Sequence, residues 1–323
     1  MNKDKLVKQW EKFSNQATPM LNKAIPAWMV LVMILNSTLG VGFLEYYFMK
    51  RNLSAELTSL AQTTNSPDKL IQILQQEVLP QQGYTLGVTW GDIGKQLLDS
   101  GVIDKQKFEQ VFAQEPDSLN MMKYMTNSSK DHMTINAKNA HFMVNMLWGL
   151  GLVNKNDILD NGEMKTYGKG DPMGFASTGG WDLGSKPTSD LYSSVPIIQL
   201  TDKQEELVKK IAANIYRACC GNPTSFPDCN HGMAALGYIE LAVKQGLSEG
   251  RIYKDVLALN SFWFPQQYIS LAAYFNQQKI DWSKVDAKLA LSQQYSSAQG
   301  TQQIQQSTQN IPGLNVKGGG CGA

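Results

Sequence analysis

Apolar positions along this chain recur mostly at helical spacing. Leu207, Val208, Ile211, Ala212, Ile215, Tyr216 and Cys219 fall on one face, and Thr201 with Gln204 forms a capping box, so the pattern predicts a helix from Thr201 to Cys219. Gly221 to Pro227 cannot continue it. A second helix is expected from about Asp228 or Asn230 to Gln245, a third from Ser248 through Trp263, and a fourth opened by Pro265. Asp281 to Tyr295 reads as a final helix. Nothing in this half reads as a strand.

The first half follows the same rule. Leu53, Leu57 and Leu60, then Leu70, Ile71, Leu74 and Val78, give two amphipathic stretches separated by Asn65-Ser66-Pro67 and ended by Pro80. Ile93, Leu97 and Leu98 predict a short helix closed by Ser100-Gly101. Asp104 to Gln114 predicts the next, with Phe108, Val111 and Phe112 inward, and Ser118 to Met125 starts another. Phe142, Met146, Gly149 and Leu150 form one more helix face, which Gly149 and Gly151 are expected to end. Several methionines lie between Met121 and Met146, and their spacing reads as helical core filling. Between Ile158 and Pro196 the pattern lapses into a glycine-rich stretch, expected to be an ordered lid or rim. It carries neither a P-loop nor a G-x-S-x-G motif.

One run departs from amphipathicity. From Ala24 to Leu44 no residue is charged, Trp28 and Tyr46, Tyr47 and Phe48 flank the run, and the preceding lysines outnumber the basic residues just after it. This pattern reads as an uncleaved signal-anchor with a cytoplasmic N-terminus. The expected organisation is a cytoplasmic tail (1–23), a transmembrane anchor (24–49), a helical stalk (50–82), an extracytoplasmic helical domain (83–295) and a flexible Gln/Gly-rich tail (296–323) ending in a tethered Cys321. The fold class is mainly α: a single N-terminal transmembrane helix followed by a multi-helix domain of αα-hairpins with one long Gly-rich loop.

Composition adds an exclusion. A net charge of +1 and only 18% charged residues offer no basic face for nucleic acid, so the membrane and other envelope proteins are the expected partners.

Candidate chemistry concentrates in one place. Of 4 cysteines and 3 histidines in the chain, Cys219, Cys220, Cys229 and His231 fall in the pattern Cys-Cys-x8-Cys-x-His. Helix N-terminal charge favours a thiolate at Cys229 and a neutral imidazole at His231, the forms that bind metals. Three uses follow: a structural disulfide from Cys219 or Cys220 to Cys229, a Zn²⁺ or copper ion held by Cys219, Cys220, Cys229 and His231 with Cys321 completing or exchanging the set, or a redox or nucleophilic thiol at Cys229 with His231 as base and Cys321 as a resolving or delivering thiol. The alternatives are a helical cell-wall hydrolase using Glu163, Asp171 or Asp182, and a non-enzymatic envelope interaction module. Glu240 and Lys244 are spaced for a surface ion pair. The sequence leaves open whether the chain is an enzyme.

Overall fold

The computed structural model describes residues 67–314. The expected cytoplasmic tail and anchor, the first part of the stalk, and Cys321 lie outside the described residues. Among the described residues no helix is long and apolar enough to cross a membrane.

The fold is mainly helical, as the spacing predicts, with one small sheet. In order come α1 (Pro67–Val78), β1 (Tyr84–Gly91), α2 (Ile93–Ser100), α3 (Lys105–Val111), β2 (Ser129–Ile135), α4 (Ala140–Val153), α5 (Asp202–Ala212), α6 (Asn230–Lys244), α7 (Glu249–Trp263), α8 (Pro265–Gln277) and α9 (Ala298–Thr308), with single helical turns between them. Local chemistry sets several boundaries. Asp104 accepts from the backbone N–H groups of Gln106 and Lys107 to start α3, the Thr201–Gln204 capping box starts α5, Ser248 caps α7, and Pro265 opens α8.

Helices α4 and α6 form the centre. Every residue of α6 from His231 to Val243 is buried, as is nearly all of α4. They meet on glycine. A Cβ at Gly151 would lie 2.1 Å from the Met233 carbonyl oxygen, and one at Gly237 would lie 2.6 Å from both the Gly151 nitrogen and the Leu147 carbonyl oxygen. Gly149 and Gly151 therefore do not end α4: Gly151 lets the backbone of α6 lie against it, and Gly149 makes room for the Trp181 ring and Ile103. The methionines of this region, Met125, Met133, Met143 and Met146, are fully buried in the same core.

The sheet is absent from the sequence expectations. β1 and β2 pair antiparallel, Tyr84 opposite Ile135 and Gly91 opposite Ser129, and bury Leu86, Val88, Trp90, Met133 and Ile135. Asp255 of α7, itself fully buried, locks the hairpin in place. It accepts from the Tyr84 hydroxyl (2.9 Å), the Gly87 N–H (2.9 Å), Arg251 Nε (2.7 Å) and the Tyr238 hydroxyl. Four donors compensate the buried carboxylate.

A second apolar cluster joins α1, α8 and α9. Three expectations change here. α1, read as part of a stalk, buries Ile71, Leu74 and Val78 against α8. Residues 281–295 form separate short turns at Trp282–Lys284, Ala287–Ala290 and Gln293–Ser296 rather than one helix. Residues 298–308, read as flexible tail, form α9, capped by Ser297 and burying Gly300, Thr301, Ile304 and Thr308. Tertiary contact outweighs the weak intrinsic preference of a Gln/Ser/Thr sequence.

Two smaller corrections bear on the site. Val111, expected inward, is 39% exposed. Glu240 makes no ion pair with Lys244: its carboxyl is fully buried and accepts from Asn154 Nδ2 at 3.0 Å, while Lys244 reaches the Gln199 carbonyl oxygen.

Candidate thiol site

The predicted helix to Cys219 stops at Ala212. What ends it is Arg217. Its guanidinium is 1% exposed and becomes the hub of the 213–229 segment: Nη1 donates to the Asn222 carbonyl (3.0 Å), Nη2 to the Phe226 carbonyl (3.1 Å) and to Asp228 Oδ1 (2.6 Å), and Nε to the Cys229 sulfur (3.0 Å). A continued helix would carry this side chain away from those acceptors. The planar fork of donors closes the loop around itself instead. Asn222 Nδ2 braces the other oxygen of Asp228 at 2.7 Å.

The loop delivers its cysteines to the start of α6. Cys229 is the N-cap residue, its sulfur accepting from the Gly232 N–H at 3.4 Å. Gly232 is required: a Cβ there would sit 2.4 Å from Arg217 Cζ. The Cys219 sulfur lies 3.4 Å from that of Cys229, the Cys220 sulfur 3.9 Å from it, and all three fall within 4.8 Å of one another. All three are free thiols and partly buried.

The electrostatics separate the three. Hydrogen bonds from Cys219 and Cys220, with the Arg217 charge, hold the Cys229 thiol well below the usual range despite burial. Cys219 is pushed far up by its bonds with Cys220 and Cys229 and by burial. For Cys220 the bond with Cys219 acts downward, but the bond with Cys229 and burial outweigh it and raise the thiol to about 12. Burial acts to lower the Arg217 pKa, and the facing cysteine sulfurs more than offset it, so the guanidinium keeps its charge. The arrangement favours the thiolate form at Cys229 and the thiol form at Cys219 and Cys220.

The sequence brings Cys219, Cys220 and Cys229 together correctly, but His231 is not in the group of mutually close ligand atoms. Its Nδ1 bonds Asn230 Oδ1 (2.8 Å) and its ring packs against Phe264 (centroids 4.4 Å apart) and Trp263 (5.6 Å). Burial lowers its pKa to about 4, so it is neutral.

Cys229 lines a cleft of about 500 Å³ together with Val111, His141, Asn145, Trp148 and Asp182. Ala176, Gly180 and Leu183 complete one wall, so the Gly-rich stretch does form a rim. It is built from short turns fastened to the core, with Trp181 Nε1 donating to the Val102 carbonyl and Trp148 Nε1 to the Ser177 carbonyl. Of the three candidate acids only Asp182 borders the cleft. Asp171 caps the turn Pro172–Gly174, and Glu163 opens the short helix Glu163–Tyr167.

Sequence reasoning missed Arg217 and the pairing of His141 with Glu115. Arg217 stood two residues before the cysteine pair, past the Lys209-Lys210 pair and within the less polar run Ile211 to Cys220, and that position was the available signal.

Comparison of the chain with known protein families, with curated proteins and with solved structures found no match.

Proposed function

We propose that the chain is a thiol–disulfide exchange protein with Cys229 as the attacking thiolate and Cys219 as its resolving partner. One observation carries this reading. The Cys229 sulfur accepts from Arg217 Nε at 3.0 Å, stands 3.4 Å from the Cys219 sulfur, and borders an open cleft. A thiolate beside a cation and a helix N-terminus is the form that attacks disulfides.

The two cysteines supply both electrons of the reaction. Cys229 attacks one sulfur of a substrate disulfide, whose other sulfur leaves and takes a proton. Cys219 then loses its proton and attacks the Cys229 sulfur of the mixed disulfide, releasing the second substrate thiol. Two electrons pass to the substrate together with two protons, one from Cys219 and one from solvent because Cys229 starts as the thiolate, and a Cys219–Cys229 disulfide remains. The uncharged run from Ala24 to Leu44 supports placing this chemistry on the outer side of a membrane, where disulfides persist.

A second reading is favoured by the spacing of the sulfurs. Two thiolates on a tetrahedral zinc ion stand about 3.8 Å apart at a Zn–S distance of about 2.3 Å, and the contacts to Cys229 are 3.4 and 3.9 Å. Cys219, Cys220 and Cys229 would form one face of a Zn²⁺ or copper site, with Cys321 available as a fourth ligand and His231 turned toward Phe264.

Redox titration of the full chain in glutathione buffers, with acid quenching and peptide mapping, separates the two. The exchange reading expects a Cys219–Cys229 disulfide in the wild type and a mixed disulfide accumulating on Cys229 in Cys219→Ser. One equivalent of metal co-purifying, lost in Cys229→Ser and protecting all three thiols, supports the metal reading instead.

A further inference from the structure

Three sulfurs converge at the start of α6, and no fourth ligand joins them. The Cys219 and Cys220 sulfurs stand 3.4 and 3.9 Å from that of Cys229, and among the described residues no carboxylate or imidazole completes the group. His231 Nδ1 is turned to Asn230 and its ring to Phe264. The adjacent pair is a poor disulfide, because neighbouring Cα atoms stand about 3.8 Å apart and a relaxed disulfide spans about 4.4 Å or more. Cys219 and Cys220 are therefore suited to act side by side as ligands, facing Cys229. The Cys229 sulfur opens onto the cleft, which gives an incoming ion its path.

We propose that Cys219, Cys220 and Cys229 form a binding site for trivalent arsenic, taken up from its neutral trihydroxide. Arsenic in this state bonds three sulfurs in a low pyramid and fills the fourth direction with its own lone pair, so a face of three sulfurs is a complete site for it. Zinc asks for a fourth ligand. Charge separates it from copper. Arg217 is already paired with Asp228 at 2.6 Å, and a trivalent ion on three thiolates adds no net charge beside that pair. Copper(I) on the same three thiolates would leave two negative charges in a partly buried place.

Binding exchanges oxygen for sulfur one bond at a time. A cysteine sulfur bonds to arsenic, an As–O bond breaks, and the departing hydroxide takes a proton and leaves as water. Cys219 and Cys220 supply two of the three protons and solvent the third, because Cys229 starts as the thiolate. Three waters leave, and neither arsenic nor sulfur changes oxidation state. The adduct holds Cys219 and Cys229 together, so it shuts off disulfide exchange for as long as the ion is bound. The inference shares its ligand set with the zinc and copper reading but names a different ion, and it rests on the three free thiols rather than on exchange.

The test uses the reduced full chain, its free thiols counted by alkylation before sodium arsenite is added. One arsenic per chain is expected, seen as an intact mass raised by one arsenic less three hydrogens. Cys219, Cys220 and Cys229 should be protected from alkylation while Cys321 still reacts. X-ray absorption should show three sulfurs and no oxygen around arsenic, a result that stands whatever any variant does. Cys220→Ser keeps the Cys219–Cys229 pair and should bind arsenite about 100-fold more weakly. Phenylarsine oxide, whose arsenic takes only two sulfurs, should bind that variant and the wild type alike. Arsenic held by two sulfurs and an oxygen, protection of Cys321 in place of one of the three, or equal arsenite affinity in Cys220→Ser would overturn the proposal. A chain that passes the thiol count and forms the Cys219–Cys229 disulfide in glutathione, yet binds no arsenite, would strike this inference and leave the exchange reading standing.

Discussion

Arg217 and Cys229 are bonded, guanidinium Nε to sulfur at 3.0 Å, with the arginine buried and the sulfur at the wall of the cleft. The contact links architecture to chemistry. The same guanidinium that charges the sulfur also holds the loop carrying Cys219 and Cys220, through the Asn222 and Phe226 carbonyls and Asp228. Arg217→Met should therefore lose stability and reactivity together. Removing one partner of a buried ion pair and leaving two carbonyls unmet should cost about 3 kcal/mol, readable as a lower denaturation midpoint with an unchanged slope. Gly232→Ala should reproduce the loss of reactivity, because the new methyl would occupy the guanidinium position.

The crossing of α4 and α6 gives a purely steric prediction. In Gly237→Ala the new methyl would meet the Gly151 nitrogen and the Leu147 carbonyl oxygen at 2.6 Å. Both are backbone atoms of a buried helix and cannot swing aside. Destabilisation of about 3 kcal/mol is expected, seen as a fall in Tm, whereas Gly250→Ala, with open space around it, should be neutral or mildly stabilising.

His231 sets an acid limit. Burial first, and then the Arg217 charge, lower its pKa from 6.5 to about 4. Between those values the unfolded chain binds a proton that the folded one does not, so stability falls as pH drops from 6.5 toward 4. The full effect is about 3 kcal/mol. His231→Leu should flatten that part of the stability curve. Equal slopes in variant and wild type would show that the imidazole is not held neutral.

Glu240 works in the opposite direction. Its carboxyl is raised well above the ordinary range by burial, and the bond from Asn154 offsets this only in part. The contribution of the neutral acid is complete below the normal carboxylate pKa and is lost as pH rises through the raised value. Glu240→Gln should gain on the wild type steadily as pH rises above the ordinary carboxylate range, by chemical denaturation at each pH.

Much of this was legible from the chain. Thr201, Ser248, Asp104 and Pro265 mark helix starts by their own local chemistry, and the structure obeys them. Failures arise where a distant partner decides. Leu86, Val88 and Trp90 alternate as a strand should, but the pairing that makes them one lies across the chain at Ile135 and beyond. Ile211, Ile215 and Cys219 keep helical spacing through a segment that a buried guanidinium turns into a loop. Gly149 and Gly151 read as terminators because their second role, close approach of the Trp181 ring at one and of the α6 backbone at the other, needs the distant partner to be known. The cysteine cluster was visible as composition. The His141–Glu115 pair was not, because its members stand 26 residues apart with no shared local pattern.

The ionisation of Cys229 is the claim on which the functional account rests, and alkylation kinetics read it directly. The rate of iodoacetamide attack on Cys229, followed by peptide mass across pH 5 to 10 in the reduced full chain, should stay nearly flat down to well below the ordinary thiol pKa. In Arg217→Met the same rate should fall with decreasing pH from a higher midpoint. A wild-type rate that declines tenfold per pH unit from near 9, as an ordinary thiol does, would contradict the account.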